Sequence, residues 1–239
     1  MTTMTVAPIC GGMSSVYDGK VTALIVAGTS SAALDPLAER AGVSRKYLVP
    51  VDGMPMIERL VMNAAMSPRI GAIRVAAREA DEIAAIPSIA KLIDKGRLAF
   101  TPEAFDMVDN MFADADGASY PILITTADNC LWLPRDFTEF ADKAIASEAA
   151  AAAAIAREED VIAVDPVRQK GSYEFSGGAY LSCNTYWIAN ACTLRSTDHV
   201  QRRRVCEGYR PHGRSVAARR LRTRSDRDGA GLLRDRRKR

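Results

Sequence analysis

The feature that most constrains this chain is an alternation of two periodicities. Strand-like apolar runs at 21–27, 70–76, 97–100 and 121–126 are separated by helical patterns at about 55–66, 79–94, 103–115 and 135–148. Runs apolar on both faces suit strands buried on both sides. Strand–helix–strand alternation brings each strand back parallel to its predecessor, under a covering of helices. The expected fold class is therefore α/β, a three-layer α/β/α domain with a mixed, mainly parallel sheet. The mixed part comes from GSYEFSGGAYLSCNTYWIA at 171–189, whose aromatic alternation around Gly177-Gly178 reads as a hairpin or a pair of antiparallel strands. The apolar run from Ala149 to Ala156 fits a helix end and a buried strand equally well.

Charge divides the 239 residues into unequal parts. Residues 1–194 carry 16 Lys and Arg against 24 Asp and Glu, a net of −8; residues 195–239 carry 16 against 5, a net of +11. The expected organisation is a disordered leader over 1–20, a folded domain over 21–194 and a disordered, arginine-rich tail over 195–239. Fifteen of the tail's basic residues are arginine and one is lysine, with no apolar period of either kind. Three readings fit it: a GC-rich coding region translated out of frame, a solvated terminus, or an arm that binds nucleic acid non-specifically through its charge.

The five cysteines form no Cys-x-x-Cys pair, which argues against a structural zinc site or a disulfide framework. No apolar run is long enough to span a bilayer, and the first residues lack a basic stretch followed by an apolar one. A cytoplasmic protein without a membrane partner is expected.

The candidate chemistry begins where the first strand-like run ends. Ala27 and Gly28 lead into Thr29-Ser30-Ser31, a loop of small residues at the end of a buried strand. A dinucleotide-binding loop needs Gly-x-Gly-x-x-Gly here, and a Walker A loop needs Gly-Lys-Ser/Thr; neither pattern is present. By itself the segment fits a phosphate cradle and an ordinary tight turn equally well. Further on, SRKYLVPVDGMPMIERL places Lys46 on an expected extended segment before a Pro-Val-x-Gly-x-Pro turn, followed by an amphipathic helix with Ile57, Leu60 and Val61 on one side. A lysine held there is a compact cation suited to a triphosphate, or else a surface lysine before a turn. The strand near 121–126 delivers Asp128 at its C-terminal end, where open α/β sheets place their ligands, although Asp128 fits equally a cap for the helix that begins near Pro134.

Together these motifs, Val-Ala-Gly, then Lys46-x-Leu-x-Pro-x-x-Gly-x-Pro, then Asp128 and SGGAYLSCNTYWI, resemble the molybdenum-cofactor guanylyltransferase-like (MobA-like) nucleotidyltransferases over about residues 20–190. The resemblance implies a fold of the nucleotide-diphospho-sugar transferase (GT-A-like) type. It also implies transfer of a nucleoside monophosphate from a nucleoside triphosphate to a phosphorylated small-molecule acceptor, with release of pyrophosphate. Ala27, Gly28, Thr29, Ser30 and Lys46 would bind the nucleotide, Lys46 and Asp128 would be catalytic, and Asp128 would hold Mg²⁺. Asn184, at the polar end of a return strand, would complete the metal site or contact the acceptor. Lys170 would steady the acceptor phosphate or face solvent, and Cys183 would line the core rather than act as a nucleophile.

Two departures from the family stand out. Many relatives carry Gly-Gly-x-Gly-x-Arg after the first strand, whereas here Gly28-Thr29-Ser30 follows and the next arginine is Arg40. The segment FDMVDNMF, near where relatives contact the base, contains Asp106 and Asp109 rather than small residues. Competing readings are a catalytically impaired nucleotide-binding protein and a GT-A-type glycosyltransferase. The latter usually shows Asp-x-Asp, whereas Asn129-Cys130 follows Asp128.

Overall fold

The computed structural model describes residues 19–28, 35–102, 120–166, 171–190 and 193. The expected helix at 103–115, the leader through residue 18 and the tail lie outside them. The elements are strand β1 (Val21–Val26), helix α1 (Pro36–Ala41), the short strands β2 (Pro50–Val51) and β3 (Met54–Pro55), α2 (Met56–Met66), β4 (Ile70–Ala77), α3 (Ala80–Ala84), α4 (Pro87–Asp94), β5 (Leu98–Pro102), β6 (Ile122–Thr126), α5 (Pro134–Ala146), β7 (Ala151–Arg157), α6 (Glu158–Val164), β8 (Tyr173–Phe175) and β9 (Gly178–Ile188).

Seven strands form one sheet in the order β5-β4-β1-β6-β9-β7, with β8 paired to β9. The pairs β5–β4, β4–β1 and β1–β6 are parallel, whereas β9 runs antiparallel to both β6 and β7. This is the middle layer of the three-layer α/β/α class expected from the alternation. All six residues of β1 are buried, as a central parallel strand with both faces covered requires. On one face Ala23, Ile25, Ile73 and Val75 pack with Ile57, Leu60 and Val61 of α2, Ile89 of α4 and Phe137 and Phe140 of α5. On the other, Leu24, Ile122, Ile124, Ala151 and Ile188 form a second buried cluster.

Two local expectations are corrected and one open alternative is resolved. The helix expected over 79–94 is two helices. Pro87 cannot donate to a preceding turn and forces Ile86 to an extended ψ of 120°, so α3 ends and α4 restarts with Pro87 in its first turn. The alanine-rich run is strand β7, because its pairing with β9 overrides alanine's intrinsic helix preference. Lys46 begins a 3-10 turn, Lys46–Leu48, rather than lying on an extended segment. Two helices that the apolar periodicity did not reveal, α1 and α6, have six and seven residues, too short for the periodicity to register. Among the described residues no helix is long and apolar enough to cross a membrane.

Candidate active site

Parallel strands deliver their C-terminal ends to one edge of the sheet. Val26 pairs with Thr126, and the Ala127 amide continues the ladder to the Val26 carbonyl at 3.0 Å, so the residues that follow β1 and β6 emerge side by side. Ala27 is buried, its amide donating to Ala76 O at 2.8 Å. Gly28, the next residue, is exposed. Because β9 runs antiparallel to β6, its segment around Thr185 arrives at the same edge, opposite Thr125.

Lys46 reaches this edge from a different part of the chain. Asp35 caps α1 by accepting from the Leu37 amide at 2.8 Å, and Gly42 ends the helix in the left-handed conformation at φ 68°. Beyond Lys46, the Asp52-Gly53 turn joins β2 and β3 with φ of 52° and 76°. Both values are positive, as in a type I′ hairpin, which favours glycine at the second position. The Arg59 guanidinium donates to Val51 O at 2.7 Å and holds this hairpin on α2. Ala38, Val49 and Met56 then bury Cys130, two residues beyond Asp128. This small apolar cluster docks the lysine-bearing segment onto the turn after β6.

The outcome is an ion pair between two residues 82 positions apart: Lys46 Nζ donates to Asp128 Oδ2 at 2.7 Å. The other carboxylate oxygen accepts from Thr126 Oγ1 at 2.6 Å. Burial pushes the Asp128 carboxyl up, but the hydrogen bonds from Lys46 and Thr126 outweigh it and hold the group below its ordinary value. Asp128 does not cap α5: Leu133 stands at the cap position, and its amide donates to Asp136 at 2.8 Å. The two side chains of the pair are 40% and 38% exposed, open enough to meet a ligand.

The segment before Lys46 is fixed from a third direction. Arg45 forms an ion pair with Glu79 at the start of α3, and Ser44 Oγ donates to Glu82 at 2.6 Å. Asn184 lies in a bulge of β9, where three residues between Ser182 and Tyr186 stand opposite the single Ala154 of β7. Its φ of 48° is a left-handed value that asparagine tolerates better than most residues. Asn184 is exposed. Cys183 packs against the main core, and burial pushes its thiol up, which suits a core-lining residue and disfavours a nucleophile.

The structure brings Ala27, Gly28, Lys46, Asp128 and Asn184 to one sheet edge, while Thr29, Ser30 and Lys170 lie outside the described residues. Thr126, Ser44, Arg45 and Glu79, which hold Asp128 and the Lys46 segment in place, are not marked by any of the sequence motifs. Only Thr126 left a local signal, a hydroxyl two residues before an aspartate. A shallow groove of about 500 Å³ lined by Pro68, Pro134, Thr138 and Asp142 includes none of these residues.

Among the described residues no three His, Cys, Asp or Glu gather as a metal cage. The donor set still fits Mg²⁺, a hard cation commonly bound through one or two carboxylates together with substrate phosphates and water. Asp128 supplies an ionised, partly exposed oxygen donor of that kind.

No family model and no curated protein matches the chain. Solved structures do. The chain is similar to a hypothetical transferase structure from Thermus thermophilus, at 22% identity and a TM-score of 0.60, over 80% of this chain and 74% of that one. It is also similar to 4-diphosphocytidyl-2C-methyl-D-erythritol synthase from Anaerococcus prevotii, at 12% identity and a TM-score of 0.52, over 82% and 80%. At such identities the likeness is one of fold, and it agrees with the three-layer class.

Proposed function

We propose that this protein is a nucleotidyltransferase that moves a nucleoside monophosphate from a nucleoside triphosphate to a phosphorylated small-molecule acceptor. The observation that carries the reading is the Lys46–Asp128 pair at 2.7 Å, beside Ala27 and Gly28 at the C-terminal edge of a parallel sheet. One cation and one anionic oxygen donor held together there suit a triphosphate and its counter-ion. The fold neighbour from Anaerococcus prevotii, by its name a synthase of a diphosphocytidyl compound, points the same way.

In the reaction a phosphate oxygen of the acceptor forms a bond to the α-phosphorus, the bridging α–β P–O bond breaks, and pyrophosphate leaves with that electron pair. Charge accumulates on phosphate oxygens, so the protein's task is positioning and neutralisation. The loop beginning at Ala27-Gly28 holds the triphosphate. Lys46 swings its ammonium from Asp128 to the phosphates, while Ser44 and Arg45 stay tied to α3. Asp128 and Asn184 would hold Mg²⁺, which supplies Lewis-acid polarisation of the phosphoryl oxygens when bound.

Pyrophosphate release, measured for the four common triphosphates against sugar and alcohol phosphates, tests the proposal. Release is expected only with a divalent cation and an acceptor, and to stop in excess EDTA. Turnover that persists in EDTA would count against it. Nucleotide binding without pyrophosphate release would favour the catalytically impaired reading, which the missing glycine–arginine pattern after β1 supports.

A further inference from the structure

Asn129 has no counterpart among the motifs above, yet its side chain makes three contacts across the edge of the sheet. Nδ2 lies 2.9 Å from Thr125 Oγ1, 2.8 Å from Cys183 O and 3.3 Å from Thr185 Oγ1. Thr125 and Thr185 are fully buried, and their hydroxyls are 2.9 Å apart. The Thr185 hydroxyl also donates to Cys183 O at 3.2 Å.

The position of this cluster is the telling point. The β6–β9 ladder ends at Thr125 opposite Thr185. Beyond it β9 bulges, and the backbone groups of a bulge lose their ladder partners. The Asn129 amide takes over at that spot by donating to Cys183 O. One side chain therefore ties the turn that carries Asp128 to the residue preceding Asn184. Asp128 and Asn129 are neighbours, as are Cys183 and Asn184, so the bond from Asn129 to Cys183 fixes the separation of the two outer residues.

We propose that Asn129 is a positioning residue that locks the Asp128 turn to the β9 bulge and so sets the Asp128–Asn184 pair for metal-bound phosphate. This inference rests on the nucleotidyltransferase reading. Leucine matches asparagine in size and has no donor; aspartate keeps the shape and also loses the donating amide. Either change removes the bond to Cys183 O, and none of the three Asn129 contacts involves Lys46.

The experiment compares full-length wild type, Asn129→Leu, Asn129→Asp and Trp187→Phe. Trp187→Phe serves as a stability control, because its buried indole donates to Ala149 O at 3.1 Å, a bond separate from those of Asn129. Peptide-resolved hydrogen exchange follows residues 125–132 and 181–188, and kcat and triphosphate KM are measured at a temperature where every variant is folded. In both Asn129 variants exchange is expected to rise in the two segments together, with β1 still protected. Their kcat should fall about tenfold or more while KM stays within about threefold, because misplacement affects the transition state more than binding. Trp187→Phe should keep kcat within about twofold of wild type. Unchanged exchange in both segments would overturn the proposal whatever the activity. So would raised exchange with wild-type kcat and cation dependence. If the wild type shows no turnover with any triphosphate, the functional reading fails; coupled exchange changes in the Asn129 variants would still establish the tie between the two strands. If Asn129→Leu does not fold, Asn129→Asp carries the same criteria.

Discussion

Replacing Asp128 with asparagine separates a catalytic carboxylate from a structural one. Asp128 accepts one bond from Lys46 and one from Thr126. Asparagine can keep both contacts: its carbonyl oxygen accepts from Lys46, and its amide donates to the Thr126 hydroxyl, which reverses its role. What is lost is a charge in a pair whose side chains are 40% and 38% exposed. Solvent screening limits such a pair to about 0.2–1 kcal/mol. For a domain of this size that corresponds to a fall in Tm of no more than about 2–4 °C. The chemical cost is of another order. Losing a preorganised charge at the reacting phosphates is expected to lower kcat by about 100-fold or more, equivalent to about 2.7 kcal/mol of barrier. Thermal melting by circular dichroism and pyrophosphate release on the same preparation measure the two effects. A variant that keeps its rate while melting many degrees lower would refute the reasoning, since Asp128 would then serve the fold and not the reaction.

Lys46→Met removes the main hydrogen bond that lowers the Asp128 carboxyl and leaves burial, which raises it. The Asp128 pKa is therefore expected to move up, read directly from its carboxyl carbon shift in an NMR titration. Glu79→Gln breaks the pair with Arg45, whose hydrogen bond holds the Glu79 carboxyl below its ordinary value. A depressed carboxyl contributes stability that is full above its unfolded pKa of about 4.3 and is lost as pH falls through the folded value. Wild type and Glu79→Gln should accordingly differ by about 0.2–1 kcal/mol at pH 7 and converge in acid, as urea unfolding at several pH values will show. Trp187→Ala empties a fully buried site and removes the indole bond to Ala149 O, so it should cost about 3–5 kcal/mol, read as a lower urea midpoint.

The central strands were legible because burial on both faces leaves an unmistakable run. Val21–Val26, Ile70–Ala77 and Ile122–Thr126 all fall within a residue or so of the expected segments. The helices were legible where two or more turns present one apolar face, as in Met56–Met66 and Pro134–Ala146. The long helix expected over 79–94 overlooked a rule visible in the sequence itself, since Pro87 stands in its middle. The alanine run was illegible for a deeper reason. Alanine has no side-chain preference strong enough to resist a partner strand, so its conformation is set by β9, some 30 residues further on.

The candidate site divides along the same line. Asp128 could be placed at a strand's end from local pattern, but nothing local says that Lys46 lies against it. That meeting depends on Cys130 being buried by Ala38, Val49 and Met56, a contact among four separate pieces of chain. The oxygen-donor chemistry of Asn184 is visible in the sequence, yet its conformation comes from a bulge, and a bulge leaves no mark on an alternating pattern because the extra residues continue the strand. The sequence positions that hold the site together, Ser44, Arg45, Glu79 and Thr126, carry ordinary surface residue types, and only their partners across the fold distinguish them. An ion pair built this way couples each charged group to a different element: Lys46 to α3 through its two preceding residues, Asp128 to the end of β6 through Thr126. Substitutions at Glu79 should therefore act through Lys46 and weaken triphosphate binding. Those at Thr126 should act through Asp128 and lower turnover, and a double-mutant cycle on kcat and triphosphate KM should show the two effects coupled, because both meet at the Lys46–Asp128 ion pair.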